Sequence, residues 1–144
     1  MSKSTATCNS ILALIFNATA FANIAQNNGS SPLTNLYVSL HTGDPGVGGS
    51  QTTSEANYTS YARVAVSRDT SGWTAPSSGS TNNAAIIQFA ECTGSSSTVT
   101  HVAIGTDSSG TGRVLYSGAL SASRTISTGI QAQFNANALV VTES

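Results

Sequence analysis

Charge is what this sequence has least of. Five basic residues (Lys3, Arg63, Arg68, Arg113 and Arg124) and six acidic ones share 144 positions, 8% in all, against about 25% in ordinary soluble domains. The basic residues are scattered. They form no positive stripe of the kind that grips a phosphate backbone, so nucleic acid is not expected as a direct partner. Cysteine is confined to Cys8 and Cys92, whose separation gives neither metal-ligand spacing nor a C-x-x-C motif. Two small buried or half-buried thiols and a disulfide are both open readings. Histidine occurs only at His41 and His101, with no H-x-x-x-H and no Asp-rich calcium loop, so neither a metal nor a cofactor is expected. The stretch "GTDSSGTG" (105–112) offers calcium a single carboxylate and reads as a turn. Nor is there a run of about 18 apolar residues, which excludes a transmembrane helix from the expectation.

Serine and threonine fill the polar role instead, at 43 of 144 positions. With 39% hydrophobic residues the chain has the means to fold, unlike the charge-rich composition of disordered segments. Its length predicts one domain, 1–144, large enough to need no metal or disulfide. A surface so poor in charge loses little solvation when another protein covers it, and interface cores are depleted in charge for that reason. The composition therefore leans toward a protein that assembles.

Along the chain, Leu12, Ile15, Phe16, Ala20 and Ile24 recur at helical spacing after a plausible cap at Asn9 or Ser10, and "QNNGSSP", with Asn28-Gly29 and Pro32, stops the pattern. The spacing predicts a helix over about 10–26. The same segment imitates a secretory signal through Lys3, the apolar run 11–16 and Ala20-Phe21-Ala22, but Asn17 and Thr19 interrupt it, so it is expected to stay with the domain. Beyond Pro32 the period changes to two. Leu36, Val38 and Leu40 alternate with Tyr37, Ser39 and His41 as a half-buried strand, and "YARVAVSR" (61–68) repeats the pattern. Further short runs lie at 84–90, 98–106, 113–120, 124–127, 130–134 and 138–142, separated by Gly/Ser/Asn turns. About eight short strands over 35–142 predict a mainly β chain, an antiparallel β-sandwich of jelly-roll type with one N-terminal helix. Residues 43–60 are expected to form a long exposed loop, the kind that tends to carry function.

The chemistry-bearing residues are few. His41 and His101, with Asp44 or Asp107 and any serine, supply the types for a nucleophilic triad, but no G-x-S-x-G elbow accompanies them and the serine content makes proximity by chance the rule. In "LYVSLHTGDPG" (36–46), Asp44, Pro45 and Gly46 are the residues a turn demands, so no catalytic residue is assigned. Tyr58 and Tyr61 flank the end of the long loop and Trp73 sits in the next turn, where aromatics make good interface anchors. Capping the open end of the sandwich is the competing role for Trp73. Arg63 and Arg68 are candidate rim contacts. Tyr58, Tyr61, Arg63, Arg68 and Trp73 are therefore the candidate partner-binding residues.

Taken in order, "LYVSLHTGDPG", "QTTSEANYTSYARVAVSR", "THVAIGTDSSGTGRVLYSGAL" and "ALVVTES" resemble a family of small structural proteins of tailed bacteriophages, over nearly the whole chain. The family pattern "LHTADPG" has Gly43 here in place of alanine, which leaves the turn chemistry intact. The resemblance implies a virion component, not an enzyme. Without heptads or collagen-like repeats for a stalk, and starting at its own Met, the chain is expected to be a capsid decoration (cement) protein on the outside of the expanded head. Its partner would then be the major capsid protein, and its form a homo-oligomer, most simply a trimer. A tail or tail-fibre component that binds a receptor or glycan is the alternative.

Overall fold

The computed structural model describes residues 3–27, 29 and 31–144; Asn28, part of the expected helix stop, lies outside them. Among the described residues one helix, α1 (Thr5–Phe16), precedes eight strands: β1 (Asn35–His41), β2 (Val64–Ser67), β3 (Ser80–Asn82), β4 (Ile87–Gln88), β5 (Ser97–Gly105), β6 (Val114–Ile126), β7 (Gln133–Phe134) and β8 (Val140–Thr142). They form a four-stranded sheet in the order β2-β1-β5-β6 and two ribbons, β3-β8 and β4-β7. The mainly β class with one N-terminal helix is the one the periodicity predicts.

The chain divides into two compact units: Met1–Asn35 with Val66–Ile87 and Phe134–Ser144, and Leu36–Ala65 with Gln88–Gln133. In the first, α1 starts where Ser4 accepts a hydrogen bond from the Thr7 N–H at 3.3 Å, the usual service of an N-cap serine. Cys8, Leu12 and Phe16, four residues apart, are the buried stripe of the helix. Both bounds differ from the predicted 10–26. The helix ends at Phe16 because Asn17 leaves helical geometry, donates its side-chain amide to the Trp73 carbonyl at 3.0 Å, and is followed by Ala18 at φ 53°. Phe21–Ala25 then close a separate turn, and Ile24, placed by its spacing on the apolar face, is 73% exposed.

Two polar side chains finish this unit. Arg68 donates to the Leu14 and Ile15 carbonyls, both at 2.5 Å, and to Asn27 Oδ1 and the Leu33 carbonyl. It thereby satisfies carbonyls that the last turn of a helix leaves unpaired, at the end where a cation is favoured. Asn83 is fully buried: its Nδ2 donates to the Ala85 and Asn135 carbonyls and its Oδ1 accepts from the Leu139 N–H, all at 2.8 Å. The returning C-terminal segment is fixed there, and β8 pairs with β3 next to it.

In the second unit β1 and β5 pair antiparallel, Val38 opposite Ile104 and His41 opposite His101. β1 is not half-buried as alternation predicts. Ser39 and His41, on its polar phase, are both 0% exposed. The predicted strands 113–120 and 124–127 are one strand, β6, while β3 lies in a stretch whose Gly, Ser and Asn read as turn. The count of eight agrees; two of the members do not.

Candidate functional site

The polar centre of the second unit is built where the 43–60 segment returns to β1. The Thr42 N–H donates to the Ser54 carbonyl at 2.7 Å and the Ala56 N–H to the Leu40 carbonyl at 2.8 Å. Gln51, fully buried, accepts from the Asp107 N–H at 2.9 Å and donates to the Asp107 carbonyl at 3.2 Å. A Cβ on Gly105 would lie 2.2 Å from the Gln51 amide carbon, so glycine is needed there for Gln51 to enter. The segment is thus irregular throughout, with exposed positions along its length and a few side chains turned inward. Gln51, Ala56 and Tyr58 are buried, while Thr52, Ser54, Asn57, Thr59 and Ser60 are exposed, as is the tip, where Val47 stands fully exposed beside Gly46 at φ 68°.

His41 sits under this segment. Its Nδ1 donates to the Thr53 carbonyl at 2.8 Å, because a carbonyl can only accept, which leaves Nε2 to accept from the Ser39 hydroxyl at 2.9 Å. Serine, imidazole and an orienting acceptor in line are the parts of an activated nucleophile. Here Ser39 and His41 are both wholly buried, so no substrate carbonyl can reach the hydroxyl, and the arrangement is a clamp. Asp44 is spent on its own turn, its Oδ1 accepting from the Gly46 N–H at 2.9 Å.

Burial holds the His41 pKa below its ordinary value, against opposing pulls from the Thr53 carbonyl and Glu55. The folded state therefore resists a proton that the unfolded chain accepts near pH 6.5. Above that pH the clamp contributes fully; as pH falls below it, stability is expected to decline. His41→Gln should flatten this dependence below about pH 6.5 in thermal melts, and an unchanged slope would rule out His41 as its source.

Beside the clamp, Arg63 forms a two-pronged ion pair with Glu55, Nε to Oε1 at 2.6 Å and Nη2 to Oε2 at 2.8 Å. Its remaining donors reach the Asp107 and Gly110 carbonyls. The Tyr61 hydroxyl donates to Glu55 Oε1 at 3.0 Å and accepts from the Leu40 N–H at 3.1 Å, and burial pushes its pKa well above the usual phenol value. Its ring stacks on Phe89 and meets Tyr58 edge-on, with centroids 6.3 and 5.3 Å apart. The Tyr58 hydroxyl donates to the Ala90 carbonyl.

Of the candidate partner residues, Tyr58 and Trp73 are buried and Tyr61, Arg63 and Arg68 are half-buried. Tyr58 is 2% exposed, Trp73 is 0% exposed, and the Arg63 side chain is 2% exposed. Tyr61 and Arg63 meet at Glu55 in the second unit, with Tyr58 packed edge-on against Tyr61. Arg68 and Trp73 belong to the first, where Trp73 packs edge-on against Phe16 at 4.8 Å. Aromatics in Gly/Ser-rich stretches look exposed by composition, but in a chain with so few large side chains they are what fills a core. Gln51 was not singled out, and Ser39 and Glu55 were not among the candidate site residues. Glu55 carried a signal, since a carboxylate eight residues before one of five basic residues is a ready ion-pair partner.

Among the described residues, no three His, Cys, Asp or Glu side chains converge as a metal site would require, and no helix is long and apolar enough to cross a membrane. Cys8 and Cys92 are buried free thiols. Residues 2–142 match the family model described as podophage GP4 fiber I protein gp80. No curated protein matches the chain.

Proposed function

The chain belongs to the podophage GP4 fiber I protein family, which makes it a structural protein of the phage virion, and we propose that it is a non-enzymatic subunit of a surface fibre or tail appendage. The observation that carries this reading is the match over residues 2–142, nearly the whole chain, to a family described as a fibre protein. The surface suits such a role. Few charges must be stripped of water when a neighbouring virion chain docks, and sheet edges supply main-chain donors and acceptors for it. Sugar stacking on Trp73 or Tyr58 does not fit, because both rings are enclosed.

A second reading, decoration of the outer head shell through contacts with the major capsid protein, draws on one observation. The single helix found among the described residues has 12 residues, far from a stalk. Cryo-electron microscopy of the particle separates the two. A few copies at the tail or its fibres are the expected result. Copies spread over the whole head would replace the fibre reading with decoration, and absence from purified particles would overturn both.

A further inference from the structure

One face of the sheet formed by β1, β5 and β6 is built from small and polar side chains. Directly paired residues share a face, so Ser39, Ala103 and Ser117 form one row across it and His41, His101 and Ala119 the next. Cover on this face is uneven. Ser117 and Ala119 on β6 are exposed, His101 on β5 is half-buried, and Ser39 and His41 on β1 are wholly buried. What covers β1 is the strap 43–54, whose Thr53 carbonyl accepts from His41 Nδ1 at 2.8 Å. The strap itself buries only Pro45 and Gln51. Its ties are polar: the Thr42 N–H and hydroxyl to the Ser54 carbonyl, the Gln51 N–H to the Gly112 carbonyl, and the Gln51 side chain to the Asp107 main chain. At its end Ser54 holds a left-handed backbone at φ 54°, a strained conformation for serine. Glu55, the next residue, is anchored by Arg63.

Segments held by polar ties over little apolar area are the ones that open locally before a domain unfolds. We infer that the strap is an acid-operated cover: when His41 takes up a proton, residues 43–54 lift from β1 while the rest of the second unit stays folded. In the closed form the protonated ring finds no free counter-charge. His101 stands directly opposite on β5, the Arg63 guanidinium repels it, and Glu55 already pairs with Arg63. The Tyr61 hydroxyl, which donates to Glu55, is uncharged. Lifting the strap gives the imidazolium water in place of the Thr53 carbonyl, and a buried charge gains most from that exchange. The opening uncovers little apolar surface, because Val47 is already exposed and Pro45 is the one apolar side chain that the strap buries. Ser39 does not oppose the proton, since its hydroxyl can turn to the Ala103 carbonyl at 3.4 Å and accept from Nε2. Solvation of the charged ring, not a lost hydrogen bond, drives the opening.

Amide hydrogen exchange of the full chain tests this, read residue by residue by NMR as pH is lowered and corrected for intrinsic rates. Protection of the Thr42, Gln51 and Asp107 amides should fall below about pH 6.5, by up to about tenfold per pH unit, the slope for one proton. Amides of the β1–β5 ladder should keep their protection over the same range. In His41→Gln the three strap amides should lose this pH dependence. Should that variant misfold, the wild type decides: the loss of protection must level off at the pH at which the His41 ring itself titrates. Strap protection that ignores pH, a plateau elsewhere, or a His41→Gln protein that still opens with acid would each overturn the proposal. So would an equal loss along the β1–β5 ladder, which would mean that the proton unfolds the unit as a whole. None of these outcomes depends on where in the virion the chain resides.

Discussion

Arg63→Ala is expected to destabilise the second unit by about 3–5 kcal/mol, the range for removing one partner of an enclosed, well-bonded ion pair. Three acceptors lose their donor together: Glu55, tied by two bonds, and the Asp107 and Gly110 carbonyls. The Glu55 carboxylate, with its side chain 16% exposed, is left with the Tyr61 hydroxyl and little water. Arg63→Lys should rescue only part of the loss, because a point-like ammonium cannot make the two-pronged contact. Denaturant unfolding followed by circular dichroism measures the difference. A loss below about 1 kcal/mol would mean that the pair behaves as an ordinary surface salt bridge, and that the 43–60 segment is held by main-chain bonds and Gln51 alone.

Trp73→Ala should cost about as much in the first unit, roughly 3–5 kcal/mol, through the cavity that a wholly buried indole leaves beside Phe16. Trp73→Phe is the informative companion. The indole Nε1–H is buried with no hydrogen-bond partner, so phenylalanine keeps most of the ring contact and deletes a donor whose desolvation is uncompensated, typically about 1–3 kcal/mol. Its loss should therefore be far smaller than that of alanine. Equal losses would show that ring volume alone decides the site. Because this is the single tryptophan of the chain, intrinsic fluorescence reports the wild-type transition, while circular dichroism must follow the variants.

The contrast between these two sites explains what could be read from the sequence. Leu36, Val38 and Leu40 announced β1 because alternation follows directly from one face being buried. Nothing in that alternation said that Ser39 and His41 would be covered as well; the cover comes from Thr53, a dozen residues on, and the cost of enclosing them is met by hydrogen bonds to a distant carbonyl. The helix was legible as apolar spacing but not in its extent, since Asn17 ends it by bonding Trp73, a contact 56 residues away. β3 was invisible because "STN" has no apolar signature; its place beside β8 is fixed by Asn83 and the returning C-terminal segment. Tyr58, Tyr61, Arg63, Arg68 and Trp73 stood out as exceptional residues, and they are exceptional, as the large and charged groups that close two small cores. Local pattern gave their importance and tertiary contact gave their direction.

The way each unit is threaded has a consequence for synthesis. The first needs its opening helix, a middle segment and β8, whose last residue is Thr142; the second is not complete until residues 88–133 have joined 36–65. A ribosome delivering the chain from its N-terminus can therefore finish neither early, and contacts so distant in sequence close slowly. During that interval β1 and the apolar stripe of α1 wait uncovered, the condition in which nascent chains aggregate or recruit chaperones. Yield from a host cell should accordingly respond to translation speed and temperature more than the stability of the finished subunit would suggest.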